Sequence, residues 1–187
     1  MGSSGSVFVA LLRGINVGGK NPVAMAALKQ VFERLGHTDV ATYIQSGNVV
    51  FRNRSANETA IASGIEQALE RRFGIPIPVV LRTEAELARV ASRNPFLSAR
   101  EDITRLQVAF LSTKPAAEAI CKLDPARSLP DVFRVVEREI YMRCPNGFAR
   151  TRLTIAYFEG VLETRATARN WKTVTTLSDW ATSASGA

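Results

Sequence analysis

Val40-Ala-Thr-Tyr-Ile-Gln45-Ser46-Gly47-Asn48-Val-Val-Phe-Arg52 is the stretch whose reading decides the fold. Two runs rich in β-branched and aromatic residues, 40–45 and 48–52, meet at Ser46-Gly47, a pair suited to a hairpin turn. Upstream, residues 24–35 place Met25, Leu28, Val31, Phe32 and Leu35 on one helical face, and Gly36 follows as a C-cap. Before that helix, residues 7–15 read as a buried strand. Downstream, residues 56–73 set Ile61, Ile65, Leu69 and Phe73 on one side of a second helix closed by Gly74, and residues 77–81 give a fourth strand. The order is βαββαβ, the ferredoxin-like arrangement.

The alternation then restarts. Thr83 with Glu86 three residues on forms a capping-box pattern that opens a connecting helix over 83–91. A strand is expected over 107–111, a helix over 115–122, paired strands over 133–137 and 139–143, a helix over 152–163 and a last helix over 171–181. The second half is therefore an imperfect repeat whose final strand the pattern leaves undefined. The expected architecture is α+β: two packed ferredoxin-like (βαββαβ) subdomains, the first over 7–82 and the second over 83–187 with its C-terminal helix. Residues 1–6 lack the basic start of a signal peptide, read as a leader or cloning scar, and are set aside.

The first strand runs into the loop Arg13-Gly14-Ile-Asn16-Val-Gly18-Gly19-Lys20-Asn21. Glycines let backbone N–H groups turn towards an anion, and the polar side chains can orient it. Gly14 to Lys20 nearly fits the GxxxxGK phosphate loop, but Asn21 stands where a metal-binding hydroxyl is needed and Pro22 follows. Nor does βαββαβ supply the parallel sheet of that NTPase class. The RNA-recognition module shares the element order, yet only Phe8 and Phe51 could stack on bases, and both suit a core.

Composition points the same way. The 187 residues carry a net charge of +7, which favours acidic partners such as nucleotides or nucleic acid. Cys121 and Cys144 are far apart and the one histidine is His37, so disulfide frameworks, zinc sites and histidine triads find little support, and a reducing, cytoplasmic setting fits. No apolar run approaches the length of a membrane span, so no membrane partner is expected.

Residues 9–21, residues 35–51, Asn94-Pro95-Phe96, Val108-Ala-Phe-Leu111, Pro145-Asn-Gly147 and Thr167-Ala-Arg-Asn-Trp-Lys-Thr-Val174 make up a set of motifs along the chain. Together they are similar to those of the bacterial "domain of unknown function 1697" proteins. The resemblance spans almost the whole chain after residue 6. It implies two ferredoxin-like subdomains and no established reaction. It also directs attention to the polar residues of its motifs: Arg13, Asn16, Lys20, Asn21, Gln45, Ser46 and Asn48, with Arg169, Asn170 and Lys172 near the end. His37 stands where relatives often carry an aromatic residue, which argues against a shared catalytic role.

In a βαββαβ sheet the end of strand one lies beside the start of strand three, so Arg13-Gly14 and Ser46-Gly47-Asn48 should share one edge. The expected ligand-binding residues are Arg13, Gly14, Asn16, Gly18, Gly19, Lys20, Asn21, Gln45, Ser46, Asn48, Arg169, Asn170 and Lys172. The competing reading gives the asparagines and glycines to turn geometry alone. The carboxylates are scattered and neither cysteine has a base partner, so catalytic residues, cofactor and metal stay unassigned. The expected function is binding of a nucleotide or nucleic acid. An enzyme acting on a small anionic substrate and a basic protein-interaction module are the alternatives.

Overall fold

The computed structural model describes residues 5–18, 21–98 and 101–186. The chain divides into two units, one formed by 5–89 together with 176–186 and the other by Val90–Thr175. In the first unit, β1 (Ser6–Leu12), α1 (Met25–Arg34), β2 (Thr38–Tyr43), β3 (Asn48–Asn53), α2 (Glu58–Phe73) and β4 (Val79–Thr83) follow one another. The sheet order is β2-β3-β1-β4 and every pairing is antiparallel. This is the expected ferredoxin-like topology. The fold begins inside the segment set aside as a leader, because Ser6 pairs with Asn53 through backbone groups that no side chain advertises.

One face of this sheet packs against α1 and α2. Phe8, Ala10, Leu12, Val49, Phe51, Val79 and Leu81 meet Leu28, Val31 and Phe32 of α1 and Ile61, Ile65 and Leu69 of α2. Phe51 stacks on Phe8 at 5.8 Å and takes the edge of Phe32 at 5.2 Å. Phe8 and Phe51 are thus core residues rather than base-stacking platforms. Each contributes about 1.5–3 kcal/mol through burial. Gly74 at φ 72° closes α2, as its sequence position predicts.

After α3 (Glu84–Ser92), the second unit repeats the order with β5 (Leu106–Leu111), α4 (Ala117–Ile120), β6 (Val132–Val136), β7 (Glu139–Arg143), α5 (Ile155–Leu162) and β8 (Ala166–Asn170). Its sheet order is β6-β7-β5-β8, again antiparallel. The strand that the pattern left undefined is β8. Its sequence, Ala-Thr-Ala-Arg-Asn, has no apolar run because its residues are small or polar. The helix α6 (Trp171–Ser185) follows, and its last turns pack in the first unit. There Trp180 meets Tyr43 edge-on at 5.2 Å, and the Ala184 carbonyl accepts from the Arg52 guanidinium.

The repeat holds residue by residue. Val9 pairs with Arg82 on β4, and Val108 pairs with Arg169 on β8. Each arginine is buried and directly precedes a helix cap. Thr83 and Glu86 form the expected capping box on α3, and Asn170 Oδ1 accepts from the Thr173 N–H of α6. At the C-terminal end of the central strand, the Leu12 N–H donates to Gly47 O at 2.8 Å and the Leu111 N–H to Arg138 O at 2.8 Å. One residue on, the Arg13 N–H donates to Pro78 O at 2.9 Å and the Ser112 N–H to Arg165 O at 2.8 Å.

Candidate functional site

The edge where β1 ends gathers three connections. Arg13 leaves β1 bonded to Pro78, Leu12 is bonded to Gly47, and the loop beyond them folds back under side-chain control. Asn16 takes φ 54° and spends its whole amide on backbone. Its Nδ2 donates to Val23 O at 2.9 Å and to Gln45 O at 2.8 Å, while Oδ1 accepts from the Val23 N–H at 2.8 Å. The Asn21 amide donates to Gly14 O at 2.9 Å, and the Asn16 N–H returns to Asn21 O at 3.1 Å. Two residues in left-handed geometry therefore cross-brace the loop, a conformation asparagine tolerates better than most side chains.

The β2–β3 turn is braced in the same way. Asn48 is fully buried, and its Nδ2 donates to Tyr43 O at 3.1 Å and to Ser46 Oγ at 2.9 Å. Gly47 is buried at φ 73°, and a Cβ built there would lie 2.7 Å from Leu12 Cβ and 2.9 Å from Ile15 Cδ1. Only glycine allows the turn to seat this closely on the start of the loop. The structure thus brings together Arg13, Gly14, Asn16, Asn21, Gln45, Ser46 and Asn48. Arg13 and Ser46 are half-buried, and Gly14, Gly18, Asn21 and Gln45 are exposed. Gly19 and Lys20 lie outside the described residues.

The remaining expected residues sit in the second unit, where Arg169 and Asn170 bond to the local fold. Arg169 is buried on β8, where it donates to Thr167 Oγ1 and Ala168 O at 2.8 Å each. Burial lowers its pKa to about 10, which leaves it charged at neutral pH. Asn170 caps α6, Lys172 is exposed on its first turn, and Trp171 is buried, in keeping with a packing role.

The groups that could carry proton or nucleophile chemistry are poorly placed for it. Cys144 is buried and its thiol pKa is pushed up to about 11, chiefly by desolvation. His37 lies between Phe32 and Phe51, with Nδ1 accepting from Asn53 Nδ2 at 2.9 Å. Asn53 Oδ1 accepts from the Ser55 N–H, which fixes the amide orientation and leaves the histidine proton on Nε2. That N–H is buried without a partner among the described residues. Desolvation keeps the His37 pKa below its usual value. Among the described residues, no three His, Cys, Asp or Glu side chains are grouped as metal ligands would be. No described helix is long and apolar enough to cross a membrane.

Two open clefts lie away from the loop. One of about 320 Å³ is bordered by Gly36, Thr38 and Arg52–Arg54. The other, of about 390 Å³, lies between Ser128–Asp131 on one side and Asn146, Gly147 and Ala149–Thr151 on the other, where Ser128 Oγ donates to the buried Asp131. Sequence reasoning passed over a further cluster, the hydroxyls of Ser112, Thr113 and Thr164 at the edge equivalent to Arg13. Aligning the two repeats at their strand ends would have exposed it.

Comparison with known proteins adds the family and the fold. The model for the protein family of unknown function DUF1697 matches residues 6–141. The structure of a conserved bacterial protein from Streptococcus pneumoniae superposes with a TM-score of 0.72 at 23% identity, covering 94% of this chain and 98% of that one. No curated protein matches the chain.

Proposed function

This chain belongs to the DUF1697 family, whose description assigns no activity, and from that premise we propose that it binds a phosphate-bearing ligand at the 13–21 loop. The observation that carries this reading is the bracing of the loop by Asn16 and Asn21, with Asn48 bracing the neighbouring β2–β3 turn. Such bracing positions the described residues of the loop before any ligand arrives, which lowers the ordering cost of binding. In this reading Asn16 and Asn21 keep the loop's shape, and Asn48, being fully buried, holds the adjoining turn instead of touching the ligand. Arg13, backbone N–H groups from Gly14 onward and, on sequence grounds, Lys20 supply the contacts. The ligand class is a nucleotide or nucleic acid, which the net charge of +7 would also attract. Two free cysteines suit the reducing cytoplasm, where such ligands are abundant.

The test is a thermal-shift screen of ATP, ribose 5-phosphate and short oligonucleotides, with and without magnesium, on the wild type and Arg13→Ala. A ligand at 100 times its Kd adds about 2.7 kcal/mol to native stability. In a chain of this size that raises Tm by about 5–10 °C. The expected result is a shift for at least one phosphate compound that shrinks in Arg13→Ala. An unshifted wild type, or equal shifts in both proteins, overturns the assignment.

A further inference from the structure

Beside the start of the 13–21 loop, the end of β2 carries an apolar surface that the polar bracing of the loop does not use. Cross-strand partners point to the same face of a sheet. Phe8, Ala10 and Leu12 face α1 and α2, so Leu11 points the other way, with Asn48 and then Tyr43 beside it in register. Tyr43 therefore lies on the face away from α1 and α2, where Trp180 of α6 meets its ring edge-on at 5.2 Å. An edge-on pair leaves ring faces that neither partner covers, and Trp180 is 39% exposed. From this contact α6 runs along β2 away from the loop, since Ala184 reaches Arg52, the partner of Thr38 at the far end of the strand. Trp180 is thus at the loop end. Tyr43 lies two strand spacings, about 10 Å, from Leu11, and two residues on Gln45 O accepts from Asn16 Nδ2 of the loop at 2.8 Å.

Between the aromatic pair and the loop stands Ile44. It is 51% exposed and sits at φ 47°, a left-handed geometry that β-branched residues disfavour. Glycine or asparagine would fit such a turn with less strain. The fold gains little from an isoleucine that is strained and half in water, whereas a flat apolar group lying beside it would gain a wall. A base stacks on an indole or phenol face whatever its identity, and a neutral ring needs no cation to hold it. We infer that Tyr43, Ile44 and Trp180 form a platform for an unpaired nucleobase, so that the ligand of the 13–21 loop is a nucleotide, free or in a single strand, whose base stacks on Trp180. The phosphate half of this inference rests on the reading of the loop given above. The base half stands on the aromatic pair and Ile44.

Titrating the full chain with AMP, ribose 5-phosphate and adenosine separates the two halves, with tryptophan fluorescence reporting the base and thermal shift the phosphate. Trp171 is buried, so quenching reads Trp180. AMP and a short single-stranded oligoadenylate should both quench saturably, and adenosine more weakly. AMP should bind about five- to 150-fold tighter than ribose 5-phosphate, the worth of one stacked base. Trp180→Ala should erase that advantage and leave ribose 5-phosphate binding unchanged. Ile44→Gly relieves the strained turn without disturbing the core, and should likewise weaken AMP alone. If adenosine quenches while ribose 5-phosphate fails to bind, the loop reading falls and the platform stands. No quenching by adenosine or AMP, AMP no tighter than ribose 5-phosphate, or unchanged AMP affinity in Trp180→Ala would overturn the platform, whatever the loop binds.

Discussion

Replacing Gly47 by alanine is the sharpest test of how the two polar loops are held together. Gly47 and Gly14 both have positive φ, 73° and 70°, so alanine is strained by about 1–2 kcal/mol at either position. Part of that strain, about 0.4–1 kcal/mol, is offset because alanine restricts the unfolded chain. The positions differ only in what the new methyl meets. At Gly14 nothing lies within 4 Å, whereas at Gly47 Leu12 Cβ lies at 2.7 Å and Ile15 Cδ1 at 2.9 Å. Leu12 Cβ is fixed to a strand backbone and cannot yield as a flexible side-chain end would. Forcing a methyl into such packing costs about 1–3 kcal/mol more. Gly14→Ala should therefore lose about 1 kcal/mol and Gly47→Ala about 2–4 kcal/mol. Urea unfolding followed by both circular dichroism and tryptophan fluorescence measures the difference, coincident curves confirming that one transition is read. If the two variants agree within about 0.5 kcal/mol, the turn is not seated on Leu12 and Ile15 as described.

Three further outcomes follow from the same contacts. Asn16→Ala removes three hydrogen bonds between the loop, Val23 and Gln45, and should cost about 1–3 kcal/mol with faster exchange of the Val23 amide; unchanged exchange would refute the bracing. Because the His37 pKa is lowered on folding, the unfolded chain binds the proton more readily. Its contribution is thus complete above the ordinary value of 6.5 and is lost as pH falls through the folded value. His37→Phe should flatten the decline in stability below that pH and also remove a buried N–H that has no partner among the described residues, worth about 1–3 kcal/mol, and an unaltered pH profile would count against it. In the native protein Cys121, which is exposed, should react promptly with a thiol reagent at neutral pH, while Cys144 reacts only on unfolding; two prompt thiols would contradict the burial.

Hydrophobic periodicity and glycine punctuation were enough to read βαββαβ from the chain, because α1 and α2 each bury one regular face and the central strands are short apolar runs buried on both. They were also enough to bring Arg13 and Ser46–Asn48 to one edge, since antiparallel order leaves no other place for them. The β8 strand escaped that reading. Ala166–Asn170 is held by its ladder to β5 and by a buried arginine, and backbone hydrogen bonding leaves no side-chain period. Residue types alone could not divide the asparagines between ligand contacts and braces either. Asn16 and Asn48 offer the same amide to a ligand or to a carbonyl, and the choice depends on which backbone groups the tertiary fold brings within 3 Å or so of it. The hydroxyl trio of Ser112, Thr113 and Thr164 spans some fifty residues of sequence and exists only because β5 and β8 are neighbours. Local pattern fixes which segments form strands and helices, because that depends on near neighbours along the chain. Which polar groups face each other is a long-range property, and only the folded sheets decide it.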